Sequence, residues 1–167
     1  LPHEPTESGK AISRHPEKDK AVKFRTQRPL KILVAEDNSI NQRIIKATLE
    51  AFGHRPEIAD NGLLAIKALE KGNFDLILMD VRMPKMNGTE TTRVIRKLSG
   101  DKSRIPIIAV TSDAMTEHRK KYLDAGMDEC VSKPIDRAEL LEAINKVMDE
   151  KVHVRSQITS TVSEERQ

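Results

Sequence analysis

The chain has 167 residues, of which 37% are hydrophobic, so it is long enough for one ordinary domain with tails. Its net charge of +3 belongs to residues 1–29, where seven Lys and Arg outnumber four Asp and Glu, while the rest is balanced at 22 of each sign. Three Phe, one Tyr and no Trp leave few side chains for base stacking, which argues against a nucleic-acid-binding surface.

Membrane spans and a disulfide framework are also excluded. No apolar run approaches the roughly 18–20 residues that cross a bilayer, and the lone Cys130 cannot form an internal disulfide. A cytosolic setting fits this cysteine usage. No signal peptide opens the chain, and Leu1 stands where an initiator Met would stand. We therefore expect a cytoplasmic piece of a longer protein.

Short apolar runs recur along the middle of the chain. Residues 1–29 are polar, contain four of the eight Pro and show no period, so they predict a flexible linker. In the following stretch, 30–149, strands are predicted at 31–35, 55–59, 75–79, 106–110 and 129–132. Nearly continuous apolar runs of this kind are typical of a parallel sheet that is covered on both faces.

Helical patterns fill the gaps between these runs. The apolar stripes lie at Ile40, Ile44, Ala47 and Ala51, at Leu63, Ile66 and Leu69, at Val94, Ile95 and Leu98, and at Leu140, Leu141, Ile144, Val147 and Met148. The stretch 114–125 is the least amphipathic, and residues 150–167 predict a flexible C-terminal tail. Five strands alternating with five helices indicate a doubly wound α/β sheet.

Acidic residues end two of the predicted strands. Asp80 closes the run 74–80, and Glu36 and Asp37 follow the run 31–35. Because sites in such sheets lie beyond the carboxyl ends of the strands, we expect the three carboxylates to share one pocket. Carboxylates that crowd together resist ionisation, and Mg²⁺ relieves this while often helping to hold a phosphate. The sequence therefore predicts a Mg²⁺ site that handles a phosphoryl group.

Two further polar residues end strands of the same sheet. Thr111 closes the fourth run with a hydroxyl, and Lys133 closes the fifth with a mobile cation. A carboxylate nucleophile, a metal ion, a hydroxyl and a lysine are the parts needed to form and stabilise an acyl phosphate.

This set of residues resembles the site of the two-component response-regulator receiver domain. The matching residues are Glu36-Asp37, Asp80 with Met83-Pro84 and Gly88, Thr111-Ser112, and Lys133-Pro134. The spacings agree too, with 43 residues from Asp37 to Asp80, 31 more to Thr111 and 22 more to Lys133. The resemblance covers about residues 30–149. It implies a flavodoxin-like, CheY-like (βα)5 fold with strand order 2-1-3-4-5.

The resemblance implies which residues handle the metal ion and the phosphoryl group. Asp80 is expected to accept the group from a phosphohistidine on a histidine kinase or a histidine phosphotransfer protein. Asp37 and Asp80 would bind Mg²⁺, Glu36 would hold a metal-bound water, and the backbone carbonyl of Arg82 would be another ligand. Arg82 and Asp113 flank the site, and we expect them to pair across its mouth.

The resemblance also implies how the domain responds. Thr111 would switch toward the phosphoryl group, and Lys133 would pair with it beside a cis bond to Pro134. Cys130 stands three residues before this lysine, where many receivers carry Tyr or Phe. The aromatic half of the usual switch is therefore in doubt, and we expect the signal to run through Thr111 and its loops.

The wider context resembles receivers attached to hybrid histidine kinases. The residues that carry this likeness are 34–38 with Asn41-Gln42, and 126–128 before Lys133-Pro134. The parent would then be a hybrid kinase, which could itself be anchored in a membrane. The fragment itself would be no enzyme beyond accepting a phosphoryl group and losing it by autodephosphorylation.

Two alternative functions stay open at this stage. The first is a pseudo-receiver, a protein-interaction module of the same fold that takes no phosphate. The second is a phosphatase of the haloacid-dehalogenase type, which also uses an Asp nucleophile. Such an enzyme needs a second Asp two residues after the first, and here Arg82 stands at that place.

Overall fold

The structure, a computed structural model, describes residues 28–164, with side chains described for residues 28–150. The predicted linker at 1–29 thus lies outside the described residues except at its end, where Arg28 donates a hydrogen bond to Asp75 at 2.8 Å. Within the described part of the chain, no helix combines the length and the apolar character that crossing a membrane requires.

Five parallel strands form one sheet in the order β2-β1-β3-β4-β5. The strands are β1 (Lys31–Ala35), β2 (Arg55–Ala59), β3 (Leu76–Asp80), β4 (Ile107–Thr111) and β5 (Glu129–Ser132). The helices are α1 (Ser39–Ala51), α2 (Gly62–Lys71), α3 (Gly88–Arg96), α4 (Thr116–Asp124) and α5 (Arg137–Glu164), with a 3₁₀ turn at Asp101–Arg104. The doubly wound sheet and its predicted strand order are confirmed.

The core lies on both faces of the sheet, because successive side chains of a strand point to opposite sides. One face packs against α1 and α5 through the buried residues Ile45, Leu49, Leu140, Ile144 and Val147. The other face packs against α2, α3 and α4 through Ala65, Leu69, Ile95 and Tyr122. The central strands β3 and β4 are buried along their whole length, which explains their unbroken apolar sequences.

The apolar stripe that predicted α1 is exposed. Ile40 is 66% exposed and Ile44 is 47% exposed, and Ala47 and Ala51 also face away from the core. The helix packs on the sheet through Ile45, Thr48 and Leu49. The helix carries apolar side chains on two faces, so its period locates the helix but does not tell which face is inside.

Helix α5 is longer than the sequence predicts. It runs from Arg137 to Glu164, so the segment predicted as a flexible tail from residue 150 begins as helix. No Gly or Pro follows Pro134, so no helix-breaking residue stands in this segment.

A close approach of α3 to the end of β3 depends on Gly88. A Cβ atom at this position would lie 2.3 Å from the carbonyl oxygen of Asp80 and 2.9 Å from the Cα of Val81. The Gly88 amide donates to the Val81 carbonyl at 2.9 Å, and the Asn87 side chain caps the helix through the Glu90 amide. The loop that follows the acidic end of β3 is thereby held against the sheet.

Arg96 fixes the two chain segments that enter β4 and β5. Its guanidinium donates to the carbonyl oxygens of Gly126 at 2.9 Å, Ser103 at 2.9 Å and Ile105 at 2.6 Å, and it pairs with Asp128 at 3.0 Å. These contacts fix the amino ends of β4 and β5. The carboxyl ends of the same two strands carry Thr111 and Lys133.

Candidate functional site

The register of the parallel strands brings the predicted site residues to one edge of the sheet. Ala35 pairs with Met79, so Glu36 and Asp80 follow side by side on β1 and β3. Thr111 pairs with Ser132, and Lys133 follows directly on β5. A pocket of about 200 Å³ opens at this edge, lined by Glu36, Asp37, Asn38, Asn41, Asp80, Arg82, Thr111, Ser112 and Lys133. All six residues proposed from the sequence therefore line it.

Three carboxylates of this pocket could hold a metal ion. One oxygen each of Glu36, Asp37 and Asp80 lies within 4.8 Å of the others. Glu36 and Asp80 are buried, whereas Asp37 is exposed. Glu36 Oε2 is buried and receives no well-directed hydrogen bond within the described part of the chain, although the Lys133 ammonium lies close to it. An all-oxygen set with such an unsatisfied atom fits a hard divalent cation and its water.

The start of α1 orients Glu36. Its Oε1 accepts hydrogen bonds from the Asn38 amide at 3.1 Å and from the Asn41 side chain at 3.4 Å. The Gln42 side chain donates to the Glu36 carbonyl at 2.6 Å and to Asp60 Oδ1 at 2.8 Å. These contacts give a physical reason for the Asn and Gln residues that follow the acidic pair in the sequence.

Lys133 is the cation of the site. Its Nζ lies 3.0 Å from Glu36 Oε2 and 3.2 Å from Asp80 Oδ2. Burial alone would lower the pKa of Lys133, but the nearby Glu36 and Asp80 carboxylates outweigh burial and raise it. The peptide bond from Lys133 to Pro134 is cis, as the resemblance implies.

The pKa of Asp80 is raised from 3.8 to about 6. Burial is the largest cause and the charge of Glu36 comes second, while Lys133 and the backbone amide of Arg82 oppose the shift. The Arg82 amide donates to Asp80 Oδ1 at 3.1 Å. From the sequence, Asp80 is expected to resist ionisation because other carboxylates lie nearby. The structure shows that burial of Asp80 raises its pKa more than the charge of Glu36 does.

The Thr111 hydroxyl is held by the loop that follows β4 and by α4. Its oxygen accepts from the Asp113 amide at 3.1 Å and lies 3.3 Å from the hydroxyl oxygen of Tyr122. The Tyr122 hydroxyl also donates to the Asp113 carbonyl at 3.2 Å. Sequence reasoning missed Tyr122 because it stands in the least amphipathic helix, where no apolar period marks the buried side.

The expected pair between Arg82 and Asp113 is not formed. Asp113 Oδ2 instead lies 2.5 Å from Nδ1 of His118, one turn into α4. The His118 side chain is half-exposed and has this acid as its partner. Arg82, Asp113 and His118 all line a second cavity of about 560 Å³ beside the site, between the loop after β3 and α4. The first turn of α4 brings His118 next to Asp113, and this contact could not be read from the spacing of the two residues in the sequence.

Comparison with known proteins shows which family and which proteins this chain is similar to. The family model for the response regulator receiver domain matches residues 32–145. Hybrid signal transduction histidine kinase G of Dictyostelium discoideum is 40% identical over 126 residues, which cover 74% of this chain and 4% of that protein. Sensor histidine kinase RcsC of Escherichia coli K12 is 38% identical over 120 residues, which cover 72% of this chain and 12% of that protein. The chain thus spans a small part of these relatives.

A solved structure shares both the fold and the type of site. It is the receiver domain of a sensor histidine kinase from Pseudomonas aeruginosa with a magnesium ion coordinated in the active site cleft. That domain is 38% identical, with a TM-score of 0.65, and the match covers 71% of this chain and 97% of that chain. A receiver domain from Saccharomyces cerevisiae, solved with its histidine phosphotransfer protein, is 27% identical, with a TM-score of 0.61 over 67% of this chain and 83% of that chain.

The raised pKa of Asp80 predicts a stability that depends on pH when no metal ion is present. Between about pH 4 and about pH 6 the folded protein binds more protons than the unfolded chain, so the free energy of unfolding falls as the pH rises through this window. Asp80→Asn removes the buried charge, and we expect it to raise the free energy of unfolding at pH 7 by about 1–3 kcal/mol.

Urea denaturation in EDTA at a series of pH values measures this effect. The exposed Asp101→Asn, at the 3₁₀ turn, is the control and should leave the stability and its pH dependence nearly unchanged. A loss of stability at pH 7 in Asp80→Asn would contradict the account of the buried charge.

Proposed function

The chain belongs to the response regulator receiver domain family, and from this premise we propose that it accepts a phosphoryl group on Asp80 in a two-component phosphorelay. The observation that carries the proposal is the single pocket in which three carboxylates, a hydroxyl and an ammonium group meet at the carboxyl edge of the sheet. These groups have the roles that formation of an acyl phosphate requires.

Phosphoryl transfer to Asp80 needs an ionised carboxylate. With a pKa of about 6, Asp80 is largely ionised at pH 7 and can attack the phosphorus of a phosphohistidine. A bond forms between a carboxylate oxygen and phosphorus, the bond between phosphorus and the imidazole nitrogen breaks, and its electron pair stays on the nitrogen. The Arg82 amide orients the carboxylate, and the Lys133 ammonium lies where it can neutralise charge on the transferred group.

Mg²⁺ would be held by Asp37 and Asp80, with Glu36 accepting from its bound water and the Arg82 carbonyl as a further ligand. When bound, the ion neutralises the negative charge that repels the incoming phosphoryl group. Asp37 is the exposed member of the set and so faces the side from which an ion would enter. Lys133 contacts both buried carboxylates, Glu36 and Asp80, and so helps to hold them in place.

The sequence relatives support a hybrid histidine kinase as the parent protein. Residues 30–149 would be its receiver domain, joined to the remainder through the segment before β1. The phosphohistidine donor would be the kinase itself or a histidine phosphotransfer protein. This proposal puts the domain in the cytoplasm, including the case in which the parent is anchored in a membrane.

The exposed stripe of α1 is suited to docking of the donor. Ile40, Ile44, Ala47 and Ala51 recur at helical spacing and form one apolar face. The helix begins at Ser39, two residues after Asp37, so this face continues from the rim of the pocket. A helical phosphotransfer protein that covers the stripe would place its histidine next to Asp80. The complex of a yeast receiver with its phosphotransfer protein supports this class of partner.

The number of phosphoryl groups handled per chain distinguishes this function from the two alternatives, a pseudo-receiver and a phosphatase. A pseudo-receiver would take no phosphoryl group, whereas a phosphatase would hydrolyse many phosphate esters per chain. Membership of the receiver family and the presence of Arg82 two residues after the nucleophile give the phosphatase no support.

We predict that incubation with acetyl phosphate and Mg²⁺ adds one phosphoryl group to the chain. Intact mass spectrometry should show one phosphoryl adduct on the wild type, and none when Mg²⁺ is replaced by EDTA. Asp80→Asn should abolish the adduct, because the nucleophilic oxygen is replaced by an amide nitrogen. Asp113→Asn, which leaves the three carboxylates intact, is the control and should still be labelled. An unlabelled wild type, or labelling that survives in Asp80→Asn, would overturn the proposal.

The docking face predicts a variant that separates the chemistry from recognition of the donor. Ile44→Glu puts a charge in the middle of the exposed stripe, and we expect it to slow phosphotransfer from a phosphorylated histidine phosphotransfer protein by about tenfold or more. Labelling by acetyl phosphate, a small molecule that needs no docking face, should stay at the wild-type rate.

The matched control is Val94→Glu, which adds the same charge at an exposed apolar residue of α3. Both reactions of this control should proceed as in the wild type. Equal rates of protein-to-protein transfer in Ile44→Glu and wild type would rule out the stripe as the docking face.

A further inference from the structure

Helix α4 is held on the sheet by one buried side chain. Of its residues Thr116–Asp124, only Tyr122 is buried, at 6% exposed, and its ring belongs to the core cluster between the sheet and α2, α3 and α4. Arg119 adds an ion pair to the buried Glu129 at the start of β5. Displacing a helix with so few buried contacts costs less free energy than displacing the strands beneath it.

The one buried side chain of α4 contacts the hydroxyl of the phosphorylation site. The Thr111 and Tyr122 hydroxyl oxygens lie 3.3 Å apart, and either can donate to the other. Both hydroxyls also reach the Asp113 carbonyl as donors, Tyr122 at 3.2 Å and Thr111 at 3.4 Å. The Asp113 amide in turn donates to the Thr111 oxygen at 3.1 Å. Thr111, Asp113 and Tyr122 thus form a closed hydrogen-bonded ring that joins the end of β4, the loop after it and α4.

The Thr111 hydroxyl has one proton, so it cannot donate both to a phosphoryl oxygen and to its present acceptors, the Tyr122 oxygen and the Asp113 carbonyl. A phosphoryl group on Asp80 would offer an ionised acceptor, and such hydrogen bonds are roughly twice as strong as those between neutral groups. When Thr111 turns toward it, the contact between the Thr111 and Tyr122 hydroxyls is lost and the ring of hydrogen bonds opens.

The structure leaves space for the helix to respond. The cavity of about 560 Å³ lies beside the Tyr122 side chain, and on the α4 side it is lined also by His118 and Lys121. A shift of Tyr122 in this direction would meet open space rather than packed side chains.

Resting on the proposed function, we propose that Tyr122 is the positioning residue that couples the state of Thr111 to the position of α4. In the unphosphorylated state its hydroxyl ties α4 to Thr111 and to the loop after β4. In the phosphorylated state this tie is released, and α4 adopts a second arrangement that a partner can recognise.

Tyr122 offers a direct probe of this coupling because it is the one Tyr in a chain without Trp. In the full chain labelled with ¹³C-tyrosine, the ring signals come from this residue alone. We expect them to shift when acetyl phosphate and Mg²⁺ phosphorylate the wild type, and to stay unchanged in Asp80→Asn under the same conditions. Unshifted ring signals in a wild type that intact mass shows to be phosphorylated would overturn the inference.

The variant Tyr122→Phe tests the hydroxyl itself while keeping the ring. It should be phosphorylated as the wild type is, but the phosphorylation-dependent change in amide hydrogen exchange of α4 should shrink by about fivefold, the equilibrium equivalent of one neutral hydrogen bond. The control Thr92→Val removes a buried hydroxyl that donates only to the Gly88 carbonyl of its own helix, and it should keep the full response.

The outcomes separate this inference from the proposed function. A wild type without a phosphoryl adduct overturns the proposed function and this inference together. A phosphorylated Tyr122→Phe with the full wild-type response of α4 overturns the inference alone. A reduced response in Tyr122→Phe but not in Thr92→Val supports it, since a merely structural loss would affect both variants.

Discussion

The interaction on which the site depends is the contact of one partly exposed ammonium group with two buried carboxylates. Lys133 lies 3.0 Å from Glu36 and 3.2 Å from Asp80, and it offsets part of the free energy that burying these acids costs. The three carboxylates outnumber the ammonium group that contacts two of them, so negative charge is in excess where an ion would be held. A divalent cation would offset this excess, which otherwise repels the phosphoryl group that the site is proposed to accept.

The fold concentrates these charges without any long-range rearrangement. The parallel strands β1, β3, β4 and β5 end at one edge of the sheet. Each of the four residues Glu36, Asp80, Thr111 and Lys133 is either the last paired residue of its strand or the residue that follows it. Contacts at the other ends of the strands, such as those of Arg96, keep the register fixed. A change of charge at Asp80 therefore acts first on the neighbouring side chains at this edge. One of them, Thr111, has a hydrogen-bond partner on α4.

The sequence predicts most of this fold because apolar runs and strand-end acids are local signals. Strands β1, β2 and β5 have the predicted bounds, and β4 begins one residue late because Pro106 has no amide to donate to a ladder. The inward face of α1 was not predictable, because Ile44 and Ile45 are equally apolar and only the sheet decides which of them is buried. The contacts of Tyr122 with Thr111 and of His118 with Asp113 were not predictable for a related reason. They depend on how α4 packs on the sheet, which local sequence does not encode.

The central claim is that the charge of the pocket defines a site for one divalent cation. Calorimetric titration of Mg²⁺ into the full chain at pH 7 tests it most directly. We expect one ion per chain, affinity reduced at least about tenfold in Asp37→Asn, and unchanged affinity in Asp60→Asn, which alters an acid outside the three that converge. Wild-type affinity in Asp37→Asn, or no binding by the wild type, would contradict the account.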